Sequence, residues 1–546
     1  MSSMGANFGL PFWAGGTHVS ATRPNIIVIM ADQLAPHFTG AYGHKVVKTP
    51  HLDALAVRGM RFDAAYCNSP LCAPSRFSFM SGQLISRIAA YDNASEFRAS
   101  VPTFAHYLKA RGYRTCLSGK MHFVGPDQKH GFEDRVTTDI YPADFAWTPD
   151  WEAHDERIDK WYHNMQTVKE SGLANATFQI DYDDEVAFAA KRWLFDHARD
   201  KAMGSQAPFA MVASFIHPHD PYVARPEWWN LYSDDEIDMP AYLPDKDDQD
   251  PFSQRLMDGI EASYVPLSDE EVRRARRAYF ANVSYFDSKI GELVQTLEEI
   301  GELDNTIVVV TADHGDMLGE RGLWYKMNFF EHSARVPLVM AGPGVAKGVA
   351  PNACSLVDLL PTFVEIASGG GDGDGEGGET IYGEPIDGRS LMPLARGETD
   401  DIDEAIGEYC AEMTPWPVFM IRRGHLKYVH CDADPPQLYD LEKDPDERNN
   451  VCAHPDYQAA AADFAAEVAR RWDSAKLRSD VMATQKSRRV LHAAMELGVQ
   501  GSKAGGESWD YNPPSDASQQ YVRNHMDWTV AANRYRYPPI NSEENS

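Results

Sequence analysis

The chain has 546 residues, with 81 acidic against 51 basic side chains and a formal charge of −30. That length suits one large α/β domain with a smaller companion, and the negative balance argues against nucleic acid or acidic membranes as partners. Seven cysteines, at 67, 72, 116, 354, 410, 431 and 452, are too few and too scattered for a disulfide framework, and no apolar run approaches the ~18 residues that span a bilayer.

Residues 1–23 read as an N-terminal extension. They lack a basic segment followed by a long apolar core, so the expected location is cytoplasmic. Asn25–Asp32, after Pro24, is an unbroken apolar run that predicts a fully buried strand. Next comes Ser69-Pro70-Leu71-Cys72-Ala73-Pro74-Ser75-Arg76-Phe77. Pro74 suits the first turn of a helix through Phe77 and Met80, which puts Cys72 at or just before a helix N-terminus. There the amide N–H groups and the dipole favour an anion. The plainer fate of a lone cysteine is buried packing. Arg76, one turn on, is placed to hold an anion or its neighbours rather than to sit in a surface ion pair.

Tyr113–Ser118 predicts a strand leading into Gly119-Lys120-Met121-His122, where Lys120 and His122 share one face if the segment is extended. Phe209–Ile216 predicts a central strand. It runs into Pro218-His219-Asp220-Pro221, an imidazole between two prolines suited to protonating a leaving alkoxide. Ser268 and Glu271 form a capping box for a helix with the apolar stripe Val283, Phe286, Ile290, Leu293, Leu297 and Ile300. The arginines at 273, 274, 276 and 277 read as its solvated face. Thr306–His314 is the counterpart of the first strand, Lys326 adds a cation shortly after it, and Val336–Met340 predicts a further strand. Strands alternating with helices imply a mostly parallel sheet covered on both faces, within a catalytic α/β domain over 24–380.

Residues 368–379 (SGGGDGDGEGGE) read as a flexible surface insertion. Their Asp/Gly pattern lacks the spacing and terminal glutamate of a calcium loop. A C-terminal subdomain, 381–484, combines a small antiparallel sheet (Val418–Ile421, Leu426–Val429) with an alanine-rich helix from Asp456 to Trp472. Residues 485–546, rich in Tyr, Asn, Pro and Arg, read as an extended tail packed on a neighbouring surface, an oligomer contact.

Asp32 and Asp313-His314 fall at the carboxyl ends of predicted strands, where open α/β sheets hold ligands. Carboxylates with a histidine make a mixed oxygen–nitrogen site for Ca²⁺, Mg²⁺ or Mn²⁺. Either pair alone would equally serve as a helix cap.

Asp32, Cys72-Ala73-Pro74-Ser75-Arg76, Gly119-Lys120-Met121-His122, Pro218-His219, Asp313-His314-Gly315 and Lys326 stand in the order found in type I sulfatases. The resemblance runs over roughly residues 24–450 and closes on Leu438-Tyr439-Asp440-Leu441, Asp444-Pro445 and Glu447. It implies an alkaline-phosphatase-like sandwich. It also implies that a maturing enzyme oxidises Cys72 to formylglycine (3-oxoalanine), whose hydrated aldehyde attacks sulfur. A thiol cannot readily collapse to eject sulfate, whereas a geminal diol can. The resemblance makes Asp32, residue 72, Asp313 and His314 ligands of a divalent cation, with Ca²⁺ expected and Mn²⁺ or Mg²⁺ as alternatives. Gln33 joins them as a departure, since many sulfatases have a second Asp there. Its amide oxygen can still ligate, but the site loses a negative charge. Arg76, Lys120, His122, His219 and Lys326 complete the sulfate shell, with His219 as general acid and His122 helping to release sulfate.

Within that family, Ser69–Arg76, Ala90-Tyr91-Asp92-Asn93-Ala94, Trp161-Tyr162-His163-Asn164-Met165 and Tyr521-Val522-Arg523-Asn524 are most similar to the choline sulfatases. By that resemblance Asn93 touches sulfate, while Trp147, His163, Asn164, Glu412 and Asp527 surround a choline group. The C-terminal tail would close a neighbouring subunit's site in a dimer or tetramer. A quaternary ammonium has no N–H donor, so aromatic faces and carboxylates are the groups that hold it. Otherwise Trp147 is a packing residue. The expected activity is hydrolysis of a small sulfate ester, choline-O-sulfate. The alternatives on the same scaffold are a phosphonate monoester or phosphodiester hydrolase, or a binding homologue that has lost its chemistry.

Overall fold

The computed structural model describes residues 23–153, 163–369 and 382–501. Asn25–Asp32 is buried along its whole length because it has a parallel neighbour on each side: Phe209–Pro218 and Thr306–Ala312. A strand enclosed in this way has no polar face to offer, which is why its sequence does not alternate. The register sets Ala31 beside Ala312 and Asp32 beside Pro218. Asp32, Asp313-His314 and His219 therefore leave the sheet side by side.

Eight strands form the main sheet, in the spatial order Gly348–Ser355, Met60–Tyr66, Leu338–Ala341, Thr306–Ala312, Asn25–Asp32, Phe209–Pro218, Arg114–Gly119, Asp134–Arg135. All pair in parallel except Leu338–Ala341, which runs against both of its neighbours. Gly119 ends its strand opposite Ser214 with a φ of 104°. A Cβ there would meet the Ser214 carbonyl oxygen at 1.9 Å, so only glycine can turn the chain toward Lys120.

The long helix Asp269–Glu299 begins in the expected capping box of Ser268 and Glu271. Its arginines depart from the expected solvated face. Arg276 is fully buried and donates to the Asp238 backbone and carboxylate and to the Leu318 carbonyl. Arg274 caps the Lys169 and Ser171 carbonyls. Loops that fold back over the helix supply these acceptors, and helical periodicity carries no sign of them.

Glu404–Tyr409, Val418–Arg423, Leu426–Cys431 and Asp434–Asp440 form a second, antiparallel sheet, and the helix Gln458–Arg471 follows. Lys427 of this sheet is buried between Glu331 and Glu447, at 2.8 and 2.6 Å, which ties the sheet to the segment just past Lys326. The last described element is one helix, Ser474–Gly501. A boundary at 485 thus falls inside a helix, and the described part of the expected tail is helical rather than extended. Trp161, Tyr162, residues 370–379 of the insertion, Tyr521–Asn524 and Asp527 lie outside the described residues. Among the described residues no helix is long and apolar enough to cross a membrane.

Candidate active site

Cys72 is the first residue of the buried helix Cys72–Ser81, and its Sγ lies 3.3 Å from His314 Nε2 and 3.8 Å from Asp32 Oδ1. Asp32, Cys72, Asp313 and His314 are all buried and bring one ligand atom each to within 4.8 Å of one another. His314 Nδ1 donates to the Gly315 carbonyl at 3.0 Å, which leaves the Nε2 lone pair facing this cluster. Burial, together with Lys326, keeps His314 below the usual histidine range, so the ring is a neutral donor. The donor set fits a divalent cation.

Arg76 holds that cluster together. Its Nε donates to Asp313 Oδ2 at 2.8 Å and Nη2 to Asp32 Oδ2 at 3.0 Å, while Nη1 binds the Lys120 carbonyl and Ser214 Oγ at 2.7 and 2.8 Å. Lys120 Nζ also binds Asp32 Oδ2. Burial alone would raise Asp32, yet Lys120, His219 and Arg76 hold it well below the usual carboxylate range, so it stays ionised. Arg76 serves its neighbours' carboxylates, the second of the two roles the sequence allows it.

Beside this lies a second buried cluster, built around Lys326 and His219. Lys326 Nζ donates to Gln33 Oε1 at 2.6 Å, to His219 Nε2 at 2.8 Å and to His163 Nε2 at 3.1 Å. His219 Nδ1 lies 2.9 Å from Asp220 Oδ1. Burial and Lys326 oppose a charge on His219, but Asp220 and Asp32 outweigh them and raise its pKa above the ordinary value. Gln33 is held in the left-handed region at φ 64°, and its Nε2 donates to Asp220 Oδ1 at 3.2 Å and Asp316 Oδ2 at 2.8 Å. Burial raises Asp316 to about 6. An acid at position 33 would confront two buried carboxylates, which gives the amide a physical reason. Its oxygen already accepts from Lys326.

The Lys120–His122 segment is not extended. It is a loop in which His122 has φ 58°. The buried Asp139 carboxylate accepts from the Met121, His122, Ile140 and Tyr141 N–H groups at 2.6–3.3 Å and so imposes that turn. His122 still joins the site. Its ring packs edge-on against Tyr141 and Trp147, at 5.0 and 5.7 Å between centroids, and among the described residues neither ring nitrogen has a hydrogen-bond partner. Burial and Lys120 push its pKa well below the ordinary value. Tyr141 lies under the Lys120 ammonium at 3.9 Å and 3.4 Å from His219 Nε2.

Asn93 Oδ1 accepts from Ala73 N–H at 3.0 Å, one residue beyond Cys72. Asn164 carries out a local task, its side chain capping the helix Met165–Lys169 by accepting from Gln166 and Thr167 N–H. Glu412 is buried. It follows Ala411, whose carbonyl accepts from the Trp151 indole at 2.7 Å, so its segment abuts the loop that carries Trp147. Sequence reasoning missed Asp139, Tyr141 and Ser214, which stand outside any motif, and also Asp220 and Asp316. The last two adjoin motif residues, and that adjacency was their available signal.

The sulfatase family model matches residues 24–370, and a model of the N-sulphoglucosamine sulphohydrolase C-terminal region matches 319–473. The chain belongs to the sulfatase family and is a sulfuric ester hydrolase with the alkaline-phosphatase-like fold. A third model, for the choline sulfatase C-terminal region, matches residues 479–537. The chain is 47% identical to a choline-sulfatase of Rhizobium meliloti (strain 1021), over 94% of its own length and 99% of that protein's. It is 29% identical to iduronate 2-sulfatase of Mus musculus, over 77% of this chain and 75% of that one. In fold it matches the phosphonate monoester hydrolase of Agrobacterium radiobacter with a TM-score of 0.65 at 22% identity, covering 84% of this chain and 96% of the other. The family implies a divalent cation and a formylglycine at the active site.

Proposed function

We propose that this enzyme hydrolyses choline-O-sulfate to choline and sulfate, using residue 72 as formylglycine and a Ca²⁺ ion held by Asp32, Asp313, His314 and residue 72. The observation that carries the substrate is the likeness to the Rhizobium meliloti choline-sulfatase along nearly the whole chain, the C-terminal segment included. When present, the hydrated aldehyde supplies one hydroxyl to attack sulfur and a second whose deprotonation lets sulfate leave, while the cation offsets the anionic charge.

The protein's own groups do the rest. Lys120 and Lys326 face the sulfate oxygens, and Asn93 supports the helix N-terminus at residue 72. A bound anion gives Lys326 a new acceptor and frees His219 Nε2 to carry the proton for the departing choline oxygen, with Asp220 fixing Nδ1. His122, held neutral by burial, takes a proton from the residue-72 side as sulfate is released. Trp147, with Tyr141 beside it, offers the trimethylammonium an apolar, electron-rich wall, and Glu412 supplies negative charge. Gln33 contributes a neutral oxygen near the cation and orients Lys326. Asp527, beyond the described residues, completes the ammonium site from the tail of a neighbouring subunit in a dimer or tetramer.

The test compares kcat/KM for choline sulfate, p-nitrophenyl sulfate and a phenylphosphonate monoester, with peptide mass analysis at position 72. Choline sulfate as the best substrate, and a formylglycine mass at 72, are expected. Efficient turnover of the aryl sulfate or phosphonate with none of choline sulfate would overturn the substrate assignment.

A further inference from the structure

The helix Ser474–Gly501 docks on the segments that carry Asn93 and Trp147, with Arg488 at the centre of the contact. Arg488 makes a two-pronged ion pair with Asp92, Nη1 to Oδ1 at 2.6 Å and Nη2 to Oδ2 at 2.7 Å, and its Nη1 also lies 3.4 Å from Thr148 Oγ1. Both partners are withdrawn from water, the Arg488 side chain 8% exposed and Asp92 not at all. Asp92 Oδ1 also accepts from Ala94 N–H and Ser95 Oγ, at 3.0 and 3.2 Å, so this carboxylate shapes the turn that presents Asn93 to Ala73 N–H. Thr148 directly follows Trp147. Gln485 and Arg489, on the same helical face as Arg488, hold the next residues of that loop: Gln485 Oε1 accepts from Trp151 N–H at 3.0 Å, and Arg489 pairs with Asp150.

We propose that Arg488 is a positioning residue that determines specificity. Its guanidinium sets the separation between the sulfate end of the pocket, at Asn93, and the cation end, at Trp147. This inference rests on the choline sulfate reading. A buried carboxylate gripped at both oxygens by a planar fork has one geometry, and a lysine ammonium cannot reproduce it. A substrate that engages both ends feels an error in their separation, whereas one that engages only the sulfate end does not.

The experiment uses the full-length, metal-loaded, matured enzyme. Steady-state kinetics of wild type, Arg488→Lys and Asp92→Asn are measured on choline sulfate and p-nitrophenyl sulfate, with thermal melts alongside. Arg488→Lys is expected to raise KM for choline sulfate about tenfold while kcat changes by less than about threefold, because loss of alignment acts first on binding of the two-ended substrate. The KM for p-nitrophenyl sulfate stays within about twofold on the same grounds. Asp92→Asn, which keeps the shape and loses the charge, gives the same split. A choline sulfate KM left unchanged by both variants overturns the inference alone, as does an equal loss on both substrates that tracks the drop in melting temperature. Wild-type enzyme without turnover of choline sulfate overturns the functional reading, and this inference with it.

Discussion

At the sulfate end of the pocket, Asp32, Asp313-His314 and His219 leave adjacent parallel strands in register, and Arg76 and Lys120 cross-brace their carboxylates. At the end we propose for the choline group, Trp147 and Glu412 arrive on loops from separate parts of the chain. Their neighbouring segments are braced by side-chain contacts such as Trp151 to Ala411 and Arg488 to Asp92. The first end is ionic and rests on backbone pairing. The second is aromatic and rests on side-chain struts. On the function proposed above, chemistry common to the family belongs with the sheet, and the choice of leaving group belongs with elements that can be repositioned without disturbing it.

If that division holds, loss of the nucleophile should affect every substrate, loss of the general acid only those with a poor leaving group, and substitutions at the loop end only the cationic one. Cys72→Ala should lower kcat by about 10⁴-fold or more on all sulfate esters, measured against residual turnover, since it removes the nucleophile. His219→Gln should lower kcat for choline sulfate by roughly 10²–10⁴-fold. It should spare p-nitrophenyl sulfate, whose phenolate departs without an acid. The pKa of His219 lies above its ordinary value, and the acid form acts, so wild-type kcat should hold at low pH and fall as pH rises through that raised value. The variant should lose this limb. Arg76→Lys should cost about 3 kcal/mol in urea unfolding, because one ammonium cannot satisfy two buried carboxylates. Trp147→Leu should raise KM for choline sulfate about tenfold, near 1–2 kcal/mol of lost cation–π contact, and leave p-nitrophenyl sulfate unaffected.

Legibility followed the same division. Asp32 and Asp313-His314 could be placed at strand ends because each terminates a run too apolar to be anything but a central strand, and their role as a set came from the resemblance to the sulfatases. The place of Cys72 at a helix start could be read from Pro74, and its expected role came from the same resemblance. Lys120 and His122 were found by type, but their geometry was not, since the turn at His122 is made by Asp139, seventeen residues on. Arg276 was assigned to water and lies buried, because its partners come from loops around residues 238 and 318–320. The region from Gln485 was expected to be extended and is helical through Gly501. Gln485, Arg488 and Arg489 dock it on distant loops, partners that local sequence does not show.

Residue pattern alone specified the buried parallel sheet and the capped helix, since hydrophobic period and turn chemistry act over a few neighbouring residues; the catalytic set was expected only through the resemblance to the sulfatases. Three-dimensional packing alone decided who pairs with whom: Gln33 with Lys326, Asp139 with the His122 turn, Arg488 with Asp92 across 396 positions. Charge pairing depends on distance and on exclusion from water, and both exist only once the chain has closed around them.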